Sequence, residues 1–172
     1  TLIVHLSAHG VLNAAGDPCL LFADADPLDD QSWAPLTKVL TAVGKHPTVV
    51  STDARVLVIL DSCKQPPDIR CGLLCSGFID AASEKVRGLP FAEFAGLLPC
   101  AEDQCAWTAP EMGGSVFGVM VASGLQGRAD TLAGDGNTRV SVQELAKFVS
   151  SAVDGYVREY RGRVQNPSLV WC

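Results

Sequence analysis

The sequence predicts an α/β fold in which a mostly parallel sheet carries helices on both faces. Two short apolar runs, residues 2–8 and 56–60, have the aliphatic and β-branched composition of buried strands. Segments with helical spacing of apolar residues follow them, so strands and helices alternate along the chain. The length of 172 residues is that of one domain, and we expect a single domain over residues 1–172.

The first half of the chain contains two predicted strands, a short apolar arm and one helix. In order, these are a strand at 2–8, a turn at 13–18, an apolar arm at 19–22, an acidic loop at 23–30, a helix at 33–43, a loop at 44–53 and a strand at 56–60. Ser32 is placed to cap the helix, because its hydroxyl can accept a backbone N–H of the first turn. Five consecutive apolar residues at 56–60 indicate a strand that is covered on both faces.

The second half contains three predicted helices and two further strands. In order, these are a loop at 64–70, a helix at 72–86, a strand at 91–98, an irregular segment at 100–112, a helix opened by residues 113–115 and ending near 124, a loop at 129–138, a helix at 142–161 and an edge strand at 168–171. Ser141 and Glu144 have the spacing of a capping box, in which the side chains of the two residues bind each other's backbone N–H groups.

Composition excludes several classes of function. The net charge of −6 argues against a nucleic-acid or membrane-surface partner, which normally requires a basic patch. No apolar run approaches the length of a membrane span, and the first residues resemble a strand rather than a signal peptide. The seven cysteines are odd in number and irregular in spacing, which favours reduced thiols and a cytoplasmic protein over a disulfide framework.

Two pairs of cysteines leave a zinc site as a minor alternative. Cys71 and Cys75 are separated by three residues, and Cys100 and Cys105 by four. Structural zinc sites usually have two-residue gaps within a pair, so small buried side chains are the simpler interpretation.

The reactive residues stand at the ends of the two apolar runs. His9 follows the first run and Cys63 follows the second. If these strands are parallel neighbours, their carboxyl ends meet at one edge of the sheet, where ligands of such folds bind. An imidazole beside a thiol can take the thiol proton, and the thiolate can then attack a carbonyl. His5, inside the strand, and His46, in a loop, are interpreted as structural.

Four segments of the chain resemble the caspase-like cysteine peptidases, and among them the bacterial metacaspase-like members. The segments are Ser7-Ala8-His9-Gly10, Asp61-Ser62-Cys63, Cys100-Ala101-Glu102-Asp103-Gln104, and Gly113 to Phe117 together with Asp135-Gly136 and Val140 to Leu145. His9 precedes Cys63 by 54 residues, close to the caspase spacing of about 50. The resemblance implies a caspase-like α/β/α sandwich of three layers, and Glu102 departs from it by replacing an aspartate.

The resemblance also implies roles for individual residues. His9 would be the general base and Cys63 the nucleophile, and the backbone N–H groups of Gly10 and Cys63 would form the oxyanion hole. Asp61 points the same way as Cys63 because side chains alternate along a strand, so it would bind a basic P1 side chain. Glu102 would be a second wall of that S1 pocket. For both acids, a structural carboxylate is the alternative.

Two aromatic residues have less defined assignments. Trp107 follows the segment in which family members form substrate subsites, so it is a candidate wall of the pocket. Trp33 is a second candidate. Packing in the core is an equal alternative for both.

A calcium site is only weakly indicated. Asp135, Asn137 and Glu144 echo positions of an EF-hand loop, but Thr138 stands where that loop needs glycine. A helix cap with a turn is the simpler interpretation. The resemblance implies no required cofactor or metal, although metacaspases are often activated by calcium.

The sequence therefore predicts a cysteine endopeptidase that cleaves after Arg or Lys in a peptide or protein substrate. The alternatives are a catalytically silent caspase-like scaffold and a different α/β thiol enzyme that transfers acyl groups. The family fold normally has a strand, a helix and a strand before the histidine strand. We therefore expect an N-terminal segment or another chain to complete the sheet, because a long open edge is a liability in water.

Overall fold

A six-stranded sheet forms the centre of the molecule. The computed structural model describes residues 1–52, 54–63 and 77–172. In these ranges the strands are β1 (Leu2–Leu12), β2 (Pro18–Leu21), β3 (Ala34–Pro35), β4 (Val56–Cys63), β5 (Phe94–Leu98), β6 (Thr108–Ala109), β7 (Gly114–Ser115) and β8 (Ser168–Trp171). The strand order in the sheet is β3-β2-β1-β4-β5-β8, and β6 and β7 form a second, two-stranded sheet.

Helices occupy much of the chain between the strands. The helices are α1 (Leu36–Gly44), α2 (Pro47–Thr52), α3 (Phe78–Arg87), α4 (Val116–Ser123), a π-helical turn (Gly124–Arg128), α5 (Ala129–Ala133) and α6 (Val142–Arg161). Across the described ranges, no helix has both the length and the apolar character that a membrane crossing requires.

The sheet is mixed, so the expectation of a mostly parallel sheet is wrong. Strand β4 runs parallel to β1 and to β5, as the helical crossovers require. The other three pairings, β1 with β2, β2 with β3 and β5 with β8, are antiparallel. The tight turn after β1 and the chain's return as an edge strand at β8 produce these reversals, since a short turn can join only antiparallel strands.

Two apolar clusters pack against β4 from its two sides. Val56, Val58 and Leu60 belong to the cluster that contains residues of α1 and α3. Leu57 and Ile59 belong to the cluster that contains residues of α4 and α6. The predicted burial of this strand on both faces is therefore confirmed. The coarse α/β class is confirmed as well, while the caspase-like sandwich stays a prediction.

The structure confirms one helix cap and one turn that were predicted from the sequence. The Ser141 hydroxyl accepts the Glu144 N–H and the Glu144 carboxylate accepts the Ser141 N–H, so the predicted capping box begins α6. Between β1 and β2, the Asn13 side-chain oxygen accepts the N–H groups of Ala15 and Asp17, which closes the predicted turn.

Three local expectations are wrong. Ser32 does not cap α1, because its hydroxyl is bound to the backbone of Asp26 and Asp29, and the helix begins only after β3. The expected loop at 44–53 contains α2, whose first residue is Pro47, a position where proline is tolerated. The expected loop at 129–138 begins with α5.

Candidate active site

The backbone brings the predicted histidine and cysteine together. In the parallel pairing of β1 and β4, His9 is the register partner of Cys63. The predicted meeting of these two residues at one edge of the β1–β4 pair is therefore confirmed at the level of the backbone. Strand β1 does not end at His9, however, because residues 9–12 go on to pair with β2.

The structure describes the side chain of His9 but only the backbone of Cys63. The His9 side chain is exposed. Residues 64–76, which include the loop predicted at 64–70, lie outside the described residues.

Asp61 lies two residues before Cys63 and points toward the beginning of α4. Its side chain is buried, with 5% of the residue exposed. The Ser115 hydroxyl donates a hydrogen bond to Asp61 Oδ2, with an O–O distance of 2.6 Å. That hydroxyl also accepts the Gly118 N–H at 2.8 Å, as the N-cap of α4. The carboxylate is therefore fixed to the first turn of a helix, where a negative charge is stabilised.

One oxygen of the Asp61 carboxylate has no hydrogen-bond partner within the part of the chain that the structure describes. Among the described residues, no group donates a hydrogen bond to the buried Oδ1 atom. His5 Nε2 lies 3.4 Å from the other oxygen, Oδ2, and the His5 side chain is half exposed. A buried acceptor without a donor costs free energy, so an added donor to Oδ1 would be favourable.

His5 and Ser115 form a polar cluster with Asp61, here called the Asp61 cluster, and sequence reasoning missed both of these residues. His5 pairs in register with Ile59, so it reaches Asp61 only diagonally across the two strands. Ser115 comes from a segment 54 residues further along the chain. A register that pairs His9 with Cys63 would have placed His5 near Asp61, but no pattern in the sequence identified Ser115 as its partner.

Gly10, predicted to contribute to the oxyanion hole, has a packing role in the structure. The ring of Phe78, at the start of α3, lies directly against it. A β-carbon at position 10 would be 2.4 Å from the nearest atom of that ring. The absence of a side chain here is therefore explained by packing, and the oxyanion role of the Gly10 and Cys63 N–H groups stays a prediction.

Glu102 lies in different surroundings from Asp61. It lines a shallow depression together with residues of α3, including Asp80, Glu84 and Arg87. Asp61 instead faces α4, on the other side of the sheet. The segment around Glu102 is held by Gln104, whose side-chain oxygen accepts the N–H groups of Ala101 and Asn166. The role of Glu102 as a second wall of an S1 pocket stays a prediction.

Trp107 lies close to the Asp61 cluster in the fold. Its carbonyl accepts the Val116 N–H, directly after Ser115, and its side chain packs against the α4–α6 cluster. The fully buried Gln165 accepts the Trp107 N–H and donates to the Pro99 carbonyl, which fixes this segment to the end of the chain. Trp33 donates its indole N–H to the Asp26 carbonyl in the loop before β3.

The weak calcium candidates form part of an acidic cluster. Asp130, Asp135 and Glu144 offer carboxylate oxygens that lie within 4.8 Å of one another. These carboxylates already accept backbone N–H groups of the loop; for example, Asp130 accepts those of Asn137 and Thr138. The side-chain oxygen of Asn137 accepts the Arg139 N–H instead of joining the cluster. The cluster is evidence neither for an ion nor against one.

Thiols outside the candidate site differ in exposure. Cys19 is buried and Cys172 is exposed, and neither forms a disulfide. Burial, followed by the nearby charges of Asp17 and Asp30, raises the pKa of the Cys19 thiol, which makes this thiol a poor nucleophile. The pair Cys71 and Cys75 of the zinc alternative lies outside the described residues.

Comparison of the sequence with known protein families and curated proteins identifies no relative of this chain. No protein-family model matches the chain, and no curated protein sequence is significantly similar to it.

Proposed function

We propose that this chain is a cysteine endopeptidase of the caspase-like type that uses a His9–Cys63 dyad and cleaves after Arg or Lys. The observation that carries the proposal is the register of β1 and β4, which makes the histidine and the cysteine direct neighbours. The buried carboxylate of Asp61, two residues before the cysteine, adds the acidic group that a basic P1 side chain requires.

The reaction needs only groups of this chain and water. His9 takes the proton of the Cys63 thiol, and the thiolate attacks the scissile carbonyl to form a tetrahedral oxyanion. The C–N bond breaks, the histidine gives its proton to the leaving amine, and an acyl-enzyme remains. Water, deprotonated by His9, then releases the acid and restores the thiol. The backbone N–H groups of Gly10 and Cys63 are the proposed donors to the oxyanion.

The preference for a basic P1 residue rests chiefly on Asp61. A carboxylate paired with a guanidinium or ammonium group forms a charge-assisted hydrogen bond, which is stronger than a neutral one. Trp107 and Glu102 are added to the proposed pocket on the strength of the family resemblance alone, although Glu102 lies beside α3 and Asp61 faces α4. No cofactor is required by this chemistry, and activation by calcium is left to experiment.

The first test is cleavage of fluorogenic peptides that end in Arg, Lys or Asp, with and without calcium. Turnover after Arg or Lys is expected, and it should vanish in Cys63→Ala. Cys172→Ser is the matched control, because it removes an exposed thiol far along the chain from the dyad. Turnover only after Asp would contradict the role of Asp61 and leave the dyad in place.

Labelling separates the protease from its two alternatives. An arginine-based peptidyl chloromethylketone should modify Cys63 faster than Cys172, although Cys172 is exposed, and His9→Ala should remove this advantage. Equal labelling of both thiols, with no turnover of any peptide, would favour the silent scaffold. Acyl transfer from a small thioester without peptide cleavage would favour the acyl-transfer enzyme.

We further propose that an additional strand, from another segment or another chain, covers the edge of β1. Residues 2–8 pair with β4 on one side, whereas β2 reaches only residues 9–12 on the other. On this strand the side chain of Ile3 is exposed. Rapid amide exchange at residues 2–8 in the dilute chain, slowed at high concentration, would identify a second copy as the source of that strand.

The free thiols support a reducing compartment, and we propose the cytoplasm. Neither Cys19 nor Cys172 forms a disulfide, and the sulfur of Cys172 lies 2.7 Å from the Phe91 carbonyl oxygen. Structural disulfides are rare in the cytosol and common in secreted proteins.

A further inference from the structure

We propose that Ser115 positions Asp61 so that one carboxylate oxygen, Oδ1, is reserved for the cation of the substrate. This inference rests on the proposed function, since it assigns the P1 recognition of that site to a second residue. Ser115 acts through Asp61 and does not itself contact the substrate, so it is a positioning residue that determines specificity.

The Ser115 hydroxyl is constrained from two directions. A hydroxyl has a single proton to donate, and this one is directed at Asp61 Oδ2. The same oxygen accepts the Gly118 N–H as the N-cap of α4, so the helix holds the hydroxyl in place. The carboxylate therefore cannot turn freely, because turning would break the hydrogen bond from a donor that is itself fixed.

Gly118 provides the space in which the carboxylate lies. A β-carbon at this position would be 2.6 Å from Asp61 Oδ2 and 2.8 Å from Ser115 Oγ. Both distances are shorter than real β-carbon contacts, so any side chain here would displace the carboxylate. The absence of a side chain at position 118 lets Asp61 reach the first turn of α4.

The two oxygens of Asp61 consequently have different roles. Oδ2 has the Ser115 donor and lies 3.4 Å from His5 Nε2. Oδ1 is buried and receives no hydrogen bond from any described residue. An Arg or Lys side chain would supply the missing donor together with a positive charge, which a neutral side chain of the same shape cannot do.

The experiment measures binding without cleavage, so its result does not depend on the dyad. In the Cys63→Ala chain, an NMR titration compares acetyl-arginine amide with acetyl-citrulline amide, which has nearly the same shape and no charge. The variants are Ser115→Ala, Ser115→Thr and Ser141→Ala. Ser141 is the matched control, because it also caps a helix but lies at the start of α6.

Ser115→Ala should weaken the binding of acetyl-arginine amide about tenfold, the effect of losing the group that orients a charged acceptor. Ser115→Thr should restore most of this loss because it keeps the hydroxyl. Ser141→Ala should leave the binding of arginine unchanged, and no variant should alter the response to citrulline. A denaturation curve for each variant verifies that the protein is folded under the conditions of the titration.

Two results would overturn the inference. One is equal binding of arginine by Ser115→Ala and the parent, and the other is no preference of the parent for arginine over citrulline. A failure of the proposed function has a different signature, namely no peptide turnover by the chain with Cys63 intact, whatever the arginine titration gives.

Discussion

Asp61 and Asp130 are buried to the same extent, but they differ in how many of their carboxylate oxygens accept hydrogen bonds. Each is 5% exposed. Asp130 accepts the Asn137 N–H at Oδ1 and the Thr138 N–H at Oδ2, at 3.0 and 2.8 Å, so both oxygens are satisfied within the fold. Asp61 has a donor only at Oδ2, and its Oδ1 is left without one among the described residues.

Under the proposed function, the difference separates a carboxylate that serves the fold from one that is proposed to bind the substrate. Asp130 stabilises a loop that contains Thr138 at a positive φ of 70°, a conformation that is unfavourable for a β-branched residue. Asp61 accepts the Ser115 hydroxyl at the start of α4 with one oxygen, and among the described residues no group donates to the other, which is buried. Burial alone would not have distinguished the two residues.

The largest expected effect is on activity, in Asp61→Asn. This change removes the negative charge and keeps the shape, so kcat/KM for Arg or Lys peptides should fall about 100-fold, the loss of a charged hydrogen bond of nearly 3 kcal/mol. Peptides that end in citrulline should be affected little. If arginine and citrulline peptides lost activity equally, Asp61 would be a structural residue like Asp130.

The reverse pattern is expected for Asp130→Ala. The Thr138 N–H would lose its acceptor and with it the contact that holds the strained Thr138 backbone, while the Asn137 N–H would keep only Asp135 as acceptor. The free energy of unfolding, measured in urea, should drop by about 2 kcal/mol. The rate at which Cys63 is labelled, per folded molecule, should not change. A parent-like unfolding curve would contradict the structural role.

A smaller loss is expected in Ser141→Ala, which tests the same loop from its far end. The change removes the N-cap of α6 but leaves the hydrogen bonds of Asp130 in place. Loss of a serine cap typically costs about 1 kcal/mol, so the urea midpoint should move less than in Asp130→Ala. A larger shift than that of Asp130→Ala would show that the cap, and not the buried carboxylate, holds this loop.

The smallest expected effect is on the pH dependence of stability, and it concerns Glu111, an exposed carboxylate that nevertheless accepts two side-chain hydrogen bonds. Its Oε1 accepts the Tyr156 hydroxyl and an Arg161 N–H, the latter at 2.7 Å. The Tyr156 hydrogen bond, followed by the Glu111 backbone and Arg161, lowers the pKa of Glu111 from 4.5 to about 2.

A depressed carboxyl pKa contributes stability that is complete above the unfolded pKa and is lost as the pH falls toward the folded pKa. The parent should therefore lose more stability than Glu111→Gln between pH 5 and pH 2, by thermal unfolding at each pH. Parallel curves for the two chains would show that solvent screening cancels the contacts, as is common at surfaces.

The sequence predicted the features of the fold that depend on local chemistry or on a strong apolar pattern. The run at 56–60 and the capping box of Ser141 and Glu144 are examples, because composition and spacing determine them within a few residues. Ser32 failed as a cap because backbone groups of Asp26 and Asp29, held in a compact loop, compete for its hydroxyl. The expectation of a mostly parallel sheet was wrong because the direction of an edge strand depends on the path of the chain between strands, which local sequence patterns do not determine.

The candidate site was predictable in its backbone and not in its side-chain contacts. Placing His9 beside Cys63 required only two neighbouring parallel strands, which the strand pattern suggests. The contact of Ser115 with Asp61 joins segments far apart in sequence. Such contacts follow from packing across the sheet, on which a motif carries no information.

The contact of Gly10 with the Phe78 ring has a consequence for how this motif would be interpreted in a mutational scan. Every substitution at position 10 should be depleted, including alanine, because even one methyl group would collide with the ring. A scan would therefore show intolerance right next to His9 and suggest chemistry where the cause is steric. A smaller residue at position 78 paired with alanine at position 10 should recover part of the fitness, and that recovery would distinguish the two causes.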